Sequence, residues 1–172
     1  MYIVLTTPRI WTFSGDFWPA VFVEGLRSLL RQDDILVFGC YSPSRWVDDE
    51  LIRLGGSRAR EGTAYSTSFD LNRKEHPDGR PYEMEVVPGL FDAIERLVAR
   101  HDGQADKALF FDHALGFRGG QQTSGLFDFH DAFNGGSLRL SGDYAEQDVQ
   151  QLAGVLDCPF ASEANPDCHQ TP

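Results

Sequence analysis

The segment Leu126–Phe133, LFDFHDAF, alternates apolar and polar side chains and runs directly into Asn134-Gly135. Alternation at period two sends every second side chain to the same side of a strand. Asn-Gly suits a two-residue hairpin turn, because both positions accept a positive φ. With SLRLSG following, the pattern predicts an antiparallel hairpin in which Phe133 faces Gly136, Asp131 faces Leu138 and Phe129 faces Leu140. Phenylalanines and leucines then share one apolar face. A loop longer by one residue would instead set Arg139 and Ser141 among the rings, which the cost of burying polar groups disfavours.

The same register sends Asp128, His130, Arg139 and Ser141 to a wet face, with Arg139 across from His130 and diagonal to Asp128, within reach of an ion pair. Asp128 and His130 are metal-ligating residue types, but two ligands make no tetrahedral set, so a solvated face is the expected reading. Asp131 is the exception, since parity puts it among the rings. In the preceding ALFFDHALGF, parity places Phe111, Leu115 and Phe117 on that apolar face, and His113 with them, opposite Asp131. A His113–Asp131 pair is either a base with its orienting carboxylate or a structural hydrogen bond. No serine or cysteine stands beside it as a nucleophile.

The first half of the chain reads as β-α-β-α. Residues 2–6 form a short apolar strand, and SGDFWPAVFVEGLRSLLRQ a helix capped by Asp16, with Trp18, Val21, Phe22, Leu26, Leu29 and Leu30 as its stripe. The run Ile35–Tyr41 suits a central strand covered on both faces. SPSRWVDDELIRLGG then gives a helix capped by Ser44, with Leu51, Ile52 and Leu54 turned inward. A right-handed crossover making the two strands parallel is the default for this order. Residues 57–87 predict a loose hairpin or two edge strands, from the alternation of Tyr65, Thr67, Phe69 and Leu71 and of Tyr82, Met84 and Val86. A helix follows Pro88, with Leu90, Ile94, Leu97 and Val98 on one face. The last helix opens on Asp143 and Glu146 at capping-box spacing and turns Ala145, Val149, Leu152 and Leu156 inward. The expected fold class is α/β (or α+β): a single domain over residues 1–160 with a mixed sheet, a C-terminal antiparallel three-strand meander and a closing helix. Residues 161–172 read as a polar, frayed tail.

Parallel strands would create a second candidate site, because open α/β sheets bind ligands beyond the carboxyl ends of such strands. Thr7, Arg9, Cys40, Ser42 and Ser44 would gather there as an anion site, with Cys40 a possible nucleophile. Ser44 as a plain helix cap and Cys40 as a small buried residue are the structural alternatives. Glycine-rich phosphate loops and GxSxG and HExxH motifs do not occur in the sequence. Trp11, Phe13, Phe17 and Trp18 crowd one segment, either as core or as a protein-binding patch.

Charge narrows the function classes. The net charge is −11, and residues 82–172 hold fifteen Asp/Glu against five Lys/Arg. That balance repels nucleic acid, whose binding depends on neutralising phosphates, and attracts basic proteins. No apolar run is long enough to span a bilayer. Three cysteines are too few for a disulfide framework, and Cys158 with Cys168-His169 supplies only half of a zinc site. These features lead to an acidic cytoplasmic binding protein that docks a basic partner, in the manner of a toxin-neutralising immunity protein, with no cofactor. The alternative is a small hydrolase or metabolite-binding enzyme using His113–Asp131 or the Thr7/Arg9/Cys40/Ser44 edge.

Overall fold

The computed structural model describes residues 5–38, 45–58, 81–99, 113–119, 125–130 and 135–168. In chain order these form β1 (Arg9–Ser14), α1 (Pro19–Leu29), β2 (Ile35–Phe38), α2 (Arg45–Arg53), β3 (Ser57–Arg58), β4 (Tyr82–Glu85), α3 (Leu90–Ala99), β5 (Ala114–Phe117), β6 (Gly125–His130), β7 (Ser137–Ser141), α4 (Glu146–Leu156) and β8 (Phe160–Ala164). The eight strands make one sheet in the order β3-β4-β2-β5-β6-β7-β1-β8.

All seven described pairings are antiparallel. The parallel first half expected from the β-α-β-α order is therefore corrected. Both edges of β2 are taken by antiparallel partners, β4 and β5. Residues 2–4 of the expected first strand lie outside the described residues, and Leu5 and Thr6 are not in a strand. The strand begins after Pro8 instead, where Ile10 and Phe13 are buried. β1 sits between β7 and β8, with three strands between it and β2.

The helices supply their apolar stripes to one face of the sheet. Phe22, Val23, Leu26 and Leu29 of α1, Leu51 of α2, Leu90, Phe91, Ile94, Leu97 and Val98 of α3, and Val149, Leu152 and Leu156 of α4 join one core. That core takes in Phe13, Leu36, Phe38, Tyr82, Met84, Phe127, Phe129, Leu138 and Leu140 from the strands. Gly25 lets α1 approach α4 closely: a Cβ there would lie 3.2 Å from Leu156 and 3.3 Å from Leu152. Three expected inward residues point out: Trp18 at 78% exposure, Ile52 at 57% and Ala145. Of the three expected caps, two do not form, and Ser44 lies outside the described residues. Trp18 and Ala145 occupy the N-cap positions of α1 and α4 without a side-chain cap bond, so Asp16 and Asp143 do not cap.

The leucine–phenylalanine face forms as the sequence implies, but in a register shifted by two. Phe127 faces Leu140 and Phe129 faces Leu138, and the last described pair is His130 opposite Ser137. An even shift keeps parity, so the apolar face survives. This register does not centre a two-residue turn on Asn134-Gly135; residues 131–134 lie outside the described residues. Residues 161–164, expected in a frayed tail, lie in β8, and Asn165 beyond them is buried. Asn165 Nδ2 donates to the carbonyls of Leu5 (2.7 Å) and Thr7 (2.9 Å), tying the segment before β1 to the turn after β8.

Candidate functional site

The second face of the sheet carries the candidate histidine chemistry. Ala114 pairs with Phe129 and Gly116 with Phe127, so the small residues of β5 lie beneath the rings of β6. A Cβ on Gly116 would come within 2.2 Å of the Phe127 ring. Leu115 and Phe117 could not fit there, and they turn to the opposite face with His113. The expected placement of His113 among the phenylalanines is therefore corrected: register brings it opposite His130, and the two rings stack with centroids 3.9 Å apart. His113 Nε2 lies 3.9 Å from Asp128 Oδ1. Asp131 lies outside the described residues.

Asp128 was expected on a solvated face. It is 7% exposed, and Arg139, directly opposite on β7, donates to its Oδ2. Arg139 also reaches Asp167 Oδ2 at 3.2 Å. The expected ion pair exists, then, but directly across the strands rather than diagonally, and sheltered rather than wet. Burial, followed by the charges of His130 and Arg139, pushes the His113 imidazole down to about 3. His113 is thus neutral near pH 7 and a weak base, whereas a general base works best with a pKa close to the operating pH. His130 is exposed. Among the described residues, no group of three His, Cys, Asp or Glu side chains could hold a metal ion.

Of the sheet-edge candidates, Thr7 and Arg9 fall among the described residues. Thr7 Oγ1 donates to Arg9 O at 2.8 Å and accepts from Gly142 N at 3.0 Å. Arg9 Nη2 donates to Ser162 Oγ at 2.7 Å and to Ser162 O at 3.3 Å. These groups stabilise the join between β7, β1 and β8. Cys40, Ser42 and Ser44 lie outside the described residues. Four inter-strand steps separate β1 from β2, about 19 Å at the usual spacing of ~4.8 Å. The two strands run the same way, so Arg9, at the start of β1, also lies at the opposite end of the sheet from the end of β2. Of the aromatic patch, Phe13 and Phe17 are core, and Trp11 packs edge-on to Phe160 at 5.7 Å. A depression of about 220 Å³ between α2 and α3, lined by Glu50, Leu54, Ala93, Arg96 and Leu97, contains no candidate site residue.

Charge gathers elsewhere. From residue 140 onward the chain has six Asp/Glu and no Lys or Arg. Asp143, Glu146, Asp148, Asp157 and Glu163 are exposed on α4, its flanks and β8. Sequence reasoning missed β8 as a strand, because FASEA has one large apolar residue and little to distinguish it from a loop. No helix among the described residues is long and apolar enough to cross a membrane. No protein-family model, curated protein or solved structure matches the chain.

Proposed function

We propose that this protein is a cytoplasmic binding protein that docks a basic protein through the acidic surface of α4 and β8. The observation that carries the reading is the excess of acid there: five exposed carboxylates with no Lys or Arg in the sequence after Arg139, against the single guanidinium of Arg9 held on Ser162. Glu146 and Asp148 also suit the positive end of the α4 dipole, but that local role does not account for Asp157 and Glu163. A catalytic reading finds less support. Its base is neutral and buried, and the Thr7 and Arg9 side chains of its second site are engaged in hydrogen bonds within the sheet.

The test is capture by immobilised protein at about 50 mM and about 300 mM salt, where the screening length shortens from roughly 14 to 6 Å. The wild type is compared with the variant Asp143→Asn, Glu146→Gln, Asp148→Asn, Glu163→Gln. A basic protein identified by mass, retained at low salt and lost on the neutralised variant, is the expected result. Equal capture by both proteins, or capture of nothing basic, overturns the reading.

A further inference from the structure

Among the described residues β8 is the outermost strand beside β1, and the hydrogen bonds of that pair fix its phase. Asn165 N donates to Pro8 O at 2.9 Å, one step beyond the Arg9–Ala164 pair. Antiparallel ladders alternate between hydrogen-bonded and non-hydrogen-bonded pairs. Glu163 and Ala161 therefore turn their backbone groups toward β1, whereas Phe160, Ser162 and Ala164 turn theirs outward. Residues 161–164 are exposed.

The usual protections of an edge, such as an inserted lysine, proline or bulge, do not interrupt FASEA; Pro159 and Pro166 only bound it. Arg9 donates to the Ser162 hydroxyl and to its outward carbonyl, which holds the strand extended and leaves the Ser162 N–H and the outward groups of Phe160 and Ala164 for a partner. The two sides of the strand differ. Phe160, packed on Trp11 and Phe13, stands with Ser162 and Ala164 on the helix side. Glu163, which accepts from Thr12 Oγ1 at 3.1 Å, stands with Ala161 on the other.

We infer that β8 is a strand-addition site: an extended segment of a basic partner pairs with the outward backbone groups of Phe160 and Ala164 and with the outward N–H of Ser162, placing cationic side chains beside Glu163 and apolar ones beside Phe160. This deepens the docking reading above and rests on it for the charge of the partner. The occupant is a basic polypeptide rather than a second copy, because two copies would bring together like-charged surfaces. Main-chain bonds supply affinity in such additions, and alternate side chains supply specificity.

The probes are a fluorescent decapeptide of alternating Lys and Val and an Ala/Lys helix-forming peptide of equal charge. Anisotropy and amide exchange are read at about 50 mM salt. Ser162→Pro removes an outward N–H while sparing the bonds to β1, and proline is tolerated on an edge strand. Ser162→Ala loses only the hydroxyl. The extended peptide is expected to bind wild type and Ser162→Ala alike, to bind Ser162→Pro at least about tenfold more weakly, and to slow exchange of the Ser162 and Ala164 amides in the wild type. Exchange in the unaltered protein decides the matter even if the proline variant misfolds. Several outcomes overturn the inference. The two peptides binding equally without protecting those amides removes strand addition and leaves acidic docking standing. Strand binding unaffected by neutralising the carboxylates removes the basic partner instead. A concentration-dependent dimer lost in Ser162→Pro assigns the edge to self-association, and failure of the extended peptide to bind at all also counts against it.

Discussion

Replacing His113 with phenylalanine tests whether this ring is held neutral by the fold. Burial, with the charges of His130 and Arg139, takes its pKa from 6.5 to about 3, and the side chain is 1% exposed. Between these values the unfolded chain carries a proton at this position and the folded protein does not, so folding stability rises with pH in that window. The contribution is fully present above about pH 6.5 and is lost as pH falls toward about 3. Near pH 5 the unfolded imidazole is almost fully charged, giving a slope of about 1.3 kcal/mol per pH unit. Between pH 7.5 and pH 5 the wild type should lose about 2 kcal/mol more than His113→Phe, which has nothing to protonate at this position. Urea unfolding of both proteins across that range, followed by tryptophan fluorescence, measures the difference directly. Carboxylates titrate in both proteins and largely cancel, and a constant offset from the lost histidine contacts does not change the slope. Parallel stability curves would refute the reasoning and place a charged imidazole at this position.

Gly116→Ala should destabilise the protein by about 1–3 kcal/mol, because the new methyl meets a Phe127 ring confined by Phe129, 4.4 Å away. In a double-mutant cycle, Phe127→Leu should recover part of that loss, and strict additivity in denaturant titrations would contradict the close approach. Asp34 is 2% exposed and accepts from Arg31 N (2.9 Å), Arg118 Nη1 (2.8 Å) and Gly119 N (3.3 Å). Asp34→Ala removes the acceptor for all three donors at once, with an expected loss of about 2–3 kcal/mol and a Tm lower by roughly 5–10 °C. A scanning calorimetry shift under about 1 °C would show that these bonds contribute little.

Patterns with a fixed period were legible in the sequence. Leu90, Ile94, Leu97 and Val98 mark α3 because their spacing follows the helical turn, and all four are buried. Phe127, Phe129, Leu138 and Leu140 share a face because parity depends only on whether the register is odd or even. What parity cannot fix is the register itself, which slipped by two and moved Arg139 from opposite His130 to opposite Asp128. Strand direction was equally hidden. The apolar run of β2 reports two covered faces and says nothing about which way its neighbours run. His113 was placed on the wrong face because Leu115 and Phe117 resemble core residues more than Ala114 and Gly116 do. The rings opposite required small partners, a constraint visible only once the strands are paired. β1 was hidden because Pro8 reads as a stop, although it stands just before the strand rather than after one.

The position of β1 has a consequence for synthesis. Phe13 pairs with Phe160, 147 positions later in the chain, and its other neighbour, β7, begins only at Ser137. A ribosome therefore releases this ribbon long before either companion exists, and Trp11 and Phe13 must wait in an unfinished nascent chain. Such distant pairing slows folding, and it makes the newborn polypeptide dependent on whatever shields those rings until β7 and β8 have been translated.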